Sequence, residues 1–305
     1  MKQWLVFLYL GCLAWGTSFL WIKLALRELG PMTMVSWRLI FGAAITWVII
    51  RWQKFDLKWS GKEFWLPFFL GITSVAMPIS LIGFAETRID SGLAGVLNAT
   101  MPLWTMLMAH YFLHDERFTL PKFLGLLSGI AGIYILMNPD FGKERDVLGQ
   151  AAMLGATFLY AGSTISQRKF MRGVHPYQMG LPLILGGMVF IVVMAAIFEA
   201  PFKVPQIPLT WLACAWMGIL GMGLSTVAWF YLLNHWGATR TSLVTFVFPP
   251  TAVLLGVFFL DEPLHWDIVL GGGLIIAGIA LVNYYTYCQC DERVPRNRQR
   301  LCEST

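Results

Sequence analysis

The sequence predicts an all-α membrane protein in which ten transmembrane helices form two inverted five-helix repeats, and three observations point to it. Among 305 residues, 57% are hydrophobic and only 13% charged, about half the roughly 25% charge usual in soluble domains. That apolar surplus is more than one soluble core could bury, so lipid is the expected solvent. Ten stretches are apolar for about 19 residues or more, enough for a helix rising about 1.5 Å per residue to cross the hydrocarbon. Residues of the first five stretches also recur in the second five at nearly constant spacing.

The first stretch, 3–22, follows Lys2 and has the look of a secretory leader. Its Trp15, Ser18 and Lys23, and then Pro31, recur 145 residues later as Tyr160, Ser163, Arg168 and Pro176, which predicts a retained helix instead. The second, 31–50, carries Arg38 about two turns in, where its counterpart in the second copy is Leu183. The third, 64–85, ends beside Glu86. The fourth, 91–113, holds Pro102, whose missing N–H and ring clash interrupt the helical ladder. Asn98, Thr100 and Thr105 are placed to satisfy the carbonyls this frees. The fifth, 120–138, is glycine-rich, and Gly125 and Gly129 have the small-xxx-small spacing of a helix contact.

The sixth stretch, 148–167, contains Tyr160, Ser163 and Gln167; the seventh is 177–199. The eighth, 209–232, carries Ser225 and Trp229. The ninth, 239–260, has Pro249 and Pro250 near Thr245 and Thr251, and the tenth, 267–287, opens with Gly271, Gly272 and Gly273, which suit close helix packing. Pro102 pairs with Pro250 at an offset of 148, and Glu116, Gly125 and Gly132 pair with Glu262, Gly271 and Gly278 at 146. The predicted units are therefore residues 3–138 and 148–287, followed by a basic tail, 288–305.

Five is odd, so the second unit enters the membrane from the opposite side. With a cytoplasmic N-terminus, fifteen lysines and arginines fall inside and six outside, the sense that the positive-inside rule requires. Equivalent connections change accordingly: Arg51, Lys54, Lys58 and Lys62 precede the third helix, whereas Lys203 alone precedes the eighth. Both termini are expected in the cytoplasm and the chain in the plasma membrane, which is the inner membrane in a bacterium. Cys12 and Cys214 fall within membrane segments and Cys288, Cys290 and Cys302 in the tail, so no structural disulfide is expected.

Metalloprotease, P-loop, nucleophile-elbow and dinucleotide signatures are absent. All 17 acidic residues fall in loops, tails or helix ends, which leaves no buried carboxylate pair for acid–base or two-metal catalysis. No enzyme activity, cofactor, metal or nucleic-acid partner is expected. Asp115 with Glu116, and Asp261 with Glu262, read as caps for the helices that follow them. Uncharged polar groups inside helices are more informative, since each must find a partner or line a wet cavity. Trp15, Ser18 and Ile22 share one helix face at spacing i, i+3, i+7, and Tyr160, Ser163 and Gln167 repeat it. An aromatic ring and a hydroxyl at matching positions suit a ligand with an apolar body and a few hydrogen-bonding groups.

In Trp15-Gly16-Thr17-Ser18, in Pro31 followed by Arg38, in the mid-helix prolines leading to Leu-x-Asp-Glu, and in glycine-rich helices five and ten, the chain resembles the EamA-type family of the drug/metabolite transporter superfamily. The likeness spans nearly the whole chain. It implies a ten-helix carrier of amino acids, other metabolites or drugs, commonly an exporter, with a central cavity from helices one, three, four, six, eight and nine. The second copy departs from the family's pattern, with Tyr160-Ala161-Gly162-Ser163 and no arginine.

The expectation is thus a secondary transporter exporting a small amphipathic metabolite such as an amino acid by alternating access, with the lipid bilayer and that metabolite as its partners. Candidate substrate-binding residues are Trp15, Ser18, Ser80, Asn98, Tyr160, Ser163, Ser225 and Trp229; Ser80 and Ser225 enter because the resemblance puts helices three and eight at the cavity. Pro102, Pro249 and Pro250 are candidate hinges. Arg38, Glu86 and His110 are candidate coupling or structural charges, with Glu86 first for proton coupling. Two alternatives are an intramembrane lipid-modifying enzyme, using for instance His110 with Asp115, and a non-transporting scaffold or receptor.

Overall fold

The structure, a computed structural model, describes residues 2–57, 61–112, 120–137, 146–171 and 174–293, and among these it is all-helical, without strands. The helices are α1 Lys2–Ala25, α2 Pro31–Trp52, α3 Gly61–Glu86, α4 Ser91–Phe112, α5 Leu120–Met137, α6 Val147–Phe170 and α7 Pro176–Phe198. They are followed by α8, running from Pro208 through Ser242, α9 Phe248–Leu260 and α10 Trp266–Arg293. Six of them, α1, α2, α3, α4, α7 and α8, are long and apolar enough to cross a membrane. Shorter apolar stretches lie in α5, α9 and α10. Helix α6 is absent from both sets, because it devotes Gln150, Thr157, Ser163, Thr164 and Gln167 to the protein interior. The segment 288–293 continues α10, and the rest of the predicted tail, 294–305, lies outside the described residues.

Glycine sets how closely the helices approach. A Cβ on Gly132 would lie 2.5 Å from the Gly271 carbonyl, and one on Gly278 2.5 Å from the Gly125 carbonyl, so α5 and α10 meet backbone to backbone. Of the glycines expected to pack closely, Gly125 and Gly271 supply these carbonyls, Gly129 meets Leu103 and Gly272 meets Val96, whereas a Cβ on Gly273 would meet nothing within 4 Å. Gly71 and Gly186 likewise bring α3 and α7 backbone to backbone, and Gly218 lets α8 reach the Arg38 carbonyl of α2.

Two departures from the predicted spans are informative. No break separates α8 from α9: the helix continues to Ser242 and passes through a 3₁₀ turn, Leu243–Val247. The polar residues near Asn234 do not stop the helix. Three helices also contain π-helical stretches, Tyr9–Gly16 in α1, Ile72–Ala76 in α3 and Ile219–Leu224 in α8.

Several helix starts on one face are capped by carboxylates from distant sequence. Glu199 accepts from the Met32 and Thr33 amides at 2.9 and 2.8 Å, capping α2. Gly30 leaves the room, since a Cβ there would sit 2.3 Å from Glu199 Oε2. Glu262 accepts from the Ser91 amide and hydroxyl at 2.8 and 2.7 Å and from the Gly92 amide at 3.1 Å, capping α4. This corrects the expectation that Glu262 caps α10. Asp261 ends α9 in the left-handed region, φ 54°, and the chain turns so that the next carboxylate meets a helix start across the molecule. Asp115 and Glu116 lie outside the described residues. In the reverse direction, Glu28 accepts from the Gln206 amide and, at 3.3 Å, the Ile207 amide ahead of α8. Arg88 pairs with Asp146 on the same face, and Lys23 Nζ donates to the Glu86 and Ile89 carbonyls at 2.8 and 2.7 Å.

Hydrogen bonds hold the Glu28 carboxyl below its ordinary range, first that of the Thr210 hydroxyl and then that of the Gln206 amide, while desolvation opposes them. The Gly149 amide, followed by Arg88, does the same for Asp146.

Candidate functional site

A central cavity of about 130 Å³ lies among α1, α2, α3, α4, α6, α7, α8, α9 and the turn before α9, room for roughly ten water-sized occupants at 10–15 Å³ each. One wall is aromatic, with Trp15 and Trp229 rings 5.4 Å apart and Phe248 6.2 Å from Trp15 and 6.1 Å from Phe19. Six of the eight predicted binding residues line it: Trp15, Ser18, Asn98, Tyr160, Ser163 and Trp229. Ile22 and Gln167 complete both predicted i, i+3, i+7 faces, so the matching triplets of α1 and α6 face the same space.

Ser80 and Ser225 are not part of this lining. Ser80 bonds back to the Ala76 carbonyl at 2.7 Å, and Ser225 is fully buried elsewhere; the cavity uses Ser74 and Thr226 from the same two helices. The π stretches supply the reason. Each residue inserted into a helix rotates the following positions by about 100°, and both serines follow such a stretch, so the resemblance's placing of helices three and eight at the cavity does not say which face either serine takes. Among the described residues all three π stretches contribute to the cavity, through Trp15, through Ser74 and Val75, and through Gly221 and Met222. Their wider turns expose carbonyls. Leu220 O accepts from the Tyr9 hydroxyl at 2.8 Å, and Gly221 O accepts from Trp15 Nε1 at 2.8 Å and from an Arg38 Nη at 3.3 Å. No simple sequence signal marks these segments.

The prolines sit where helices restart. Helix α4 is interrupted at Ala99 and Thr100 and resumes at Met101, with Pro102 in its new first turn; Pro249 and Pro250 open α9. A missing N–H is harmless in a first turn. Thr100 and Thr105 take the Leu97 and Met101 carbonyls at 2.8 and 2.9 Å, and Thr251 takes Val247 O at 2.8 Å.

Arg38 lines the cavity and is only 4% exposed. Glu86 is 1% exposed, and neither carboxylate oxygen has a hydrogen-bond partner, but it stands outside the lining at the end of α3. His110 is exposed on α4 beside Tyr111 and also lies outside the lining. A second hollow, about 250 Å³ and bounded by Arg168, Met171, Asn234 and Trp236 among others, shares Gln167 with the central cavity. It opens on the face opposite the carboxylate caps.

Apolar spans around an internal, mostly apolar cavity define a multi-pass membrane protein. The model of the EamA-like transporter family matches the chain twice, over residues 2–138 and 147–284. The chain belongs to that family. It is 27% identical over 288 residues to the uncharacterized transporter YoaV of Bacillus subtilis, covering 90% of this chain and 94% of that one. It is 28% identical to an uncharacterized transporter of Archaeoglobus fulgidus, with 92% and 99% covered, and 28% identical to protein PagO of Salmonella typhimurium, with 80% of each covered. A crystal structure of an unspecified protein shares the fold, with a TM-score of 0.71 at 18% identity over 93% of this chain and 97% of that one.

Proposed function

We propose that the chain is a secondary transporter that exports a small amphipathic metabolite such as an amino acid by alternating access, its two family-matched stretches acting as inverted five-helix repeats. The observation that carries the reading is the cavity itself. Trp15, Ser18 and Ile22 from the first stretch and Tyr160, Ser163 and Gln167 from the second line it at one sequence offset. The π stretches of α3 and α8 start 147 residues apart, in keeping with the offsets of the other paired residues. An aromatic wall beside a few hydroxyl and amide groups fits an apolar body with a polar head. The helix restarts at Pro102 and at Pro249 and Pro250 are the natural hinges. Both termini are placed in the cytoplasm, which puts the carboxylate-capped face outside and the second hollow inside. Gln167, which lines both the central cavity and the second hollow, supports a path toward that side, the side from which an exporter loads. Proton coupling is assigned to Glu86, the buried carboxylate without a hydrogen-bond partner.

Counterflow into liposomes holding the purified protein, with amino acids and other small amphipathic metabolites as the panel, tests this. Exchange of at least one labelled compound that is lost on Trp15→Ala or Tyr160→Ala supports the reading. Tight binding without any exchange would instead favour a receptor.

A further inference from the structure

The geometry points to Arg38 as the anion-binding element of the central cavity: the occupant carries a carboxylate, attached to an apolar body that lies against Trp15, Trp229 and Phe248. This rests on the cavity being the transporter's binding chamber and adds a chemical class to it.

A guanidinium sunk this deeply is expensive unless something compensates its charge. Among the described residues, no carboxylate forms an ion pair with Arg38, and none lines the cavity. The buried Glu86 makes no hydrogen bond to it, since neither of its carboxylate oxygens has a partner. What Arg38 does hold is slight: one contact of 3.3 Å to Gly221 O, which Trp15 Nε1 already occupies at 2.8 Å, and one of 3.9 Å to Met217 Sδ. Its Nε makes no hydrogen bond. A guanidinium has five N–H donors, so most of its capacity is unused. Three further cavity-lining atoms, Asn98 Oδ1, Ser163 Oγ and Gln167 Oε1, are buried and equally without partners. An apolar chamber with one uncompensated cation and three idle polar groups is complementary to a single anionic head with hydrogen-bonding neighbours. A structural brace for the α8 carbonyls would show its donors already taken.

Thermal stabilisation of the purified protein in detergent tests the assignment without requiring transport. The probes are apolar L-amino acids, the matching carboxylic acids without the amino group, and the carboxamides of both sets. Acids should stabilise the protein and carboxamides should not. Arg38→Gln should weaken acid binding roughly 30-fold or more, as removal of one partner of a buried charge pair does. Arg38→Lys should fall between, keeping the charge but losing the planar fork. Carboxamides that bind as well as acids, or an R38Q protein that still prefers acids, would overturn the assignment. If R38Q does not fold, the acid-to-amide comparison on the unaltered protein decides alone. Flux separates the two readings. A protein that binds acids yet moves nothing across liposomes keeps the anion site and loses the transporter reading, whereas one that moves carboxamides as readily as acids keeps the transporter and loses the anion site.

Discussion

The two faces of the molecule are built on different chemistry. On one, three glutamates reach across the chain to cap helix starts, Glu199 on α2, Glu262 on α4 and Glu28 ahead of α8. On the other, aromatic contacts reach across the chain. Phe55 stacks on His175 at 4.3 Å, Trp4 meets Trp236 at 5.1 Å, and Trp236 donates to Gln3 at 3.0 Å. By the repeat offsets, the sequence positions equivalent to Glu28, Glu199 and Glu262 are Gly173, Lys54 and Glu116, so two of the three carboxylates have no counterpart. Charged caps act at a helix end and are directional, whereas aromatic pairs tolerate a range of ring geometries. On the proposed alternating-access reading, such a difference between the faces biases the chain toward one resting state.

Removing two caps should break this comparison most forcefully. Glu199→Ala combined with Glu262→Ala loses about 0.5–2 kcal/mol per cap, shifting an opening equilibrium roughly five- to a thousandfold. A cysteine placed at Ile82 in a background without the native cysteines should then react with an impermeant maleimide from the capped side. Unchanged labelling would mean that the caps do not hold that face shut.

Gly218→Ala should come next. It sits between the faces, where a Cβ would lie 2.6 Å from the Arg38 carbonyl, and overpacking of this kind costs about 1–3 kcal/mol. Its melting temperature in detergent should fall while the side preference of labelling stays. Gly155→Ala, whose new methyl meets only Leu81 Cδ1 at 3.7 Å, is the neutral control.

Phe55→Ala should have a smaller effect, about 0.5–1.5 kcal/mol for the lost ring contacts, and should raise labelling from the uncapped side alone. Equal gains from both sides would mean general loosening.

The smallest effect concerns pH. The Glu28 and Asp146 carboxyls are held below their ordinary range in the folded chain. Their contribution is therefore fully present above the ordinary carboxylate value, about 4, and is lost as pH falls through their lowered values. Acidifying the capped side should increase labelling there, and Glu28→Gln should flatten that response. A curve identical to that of the unaltered protein would exclude Glu28 from the closure.

The helical membrane fold was legible because a bilayer leaves the backbone few options, so apolarity and length alone mark most helices. The α1 and α6 triplets were legible as well, since the period from Trp15 to Ile22 and from Tyr160 to Gln167 carries both sets into the cavity. Ser80 and Ser225 were expected at the cavity only because the resemblance put their helices there, and helix membership does not say which face a residue takes once a π stretch upstream has turned it. Glu262 was read against its sequence neighbour, α10, when its partner in space is Ser91, 171 residues away. Cross-chain capping of this sort needs coordinates.

The polarity of α6 also bears on how the chain is made. During synthesis each segment partitions between the translocation channel and lipid, and one carrying Gln150, Thr157, Ser163, Thr164 and Gln167 partitions poorly by itself. The next helix, α7, has the highest mean hydropathy of the six clear spans, 2.7, and begins a few residues later. In the folded chain α6 nevertheless packs on α3 and α4 rather than on α7. The polar residues that face the cavity thus find most of their company in helices synthesised before α6 rather than after it.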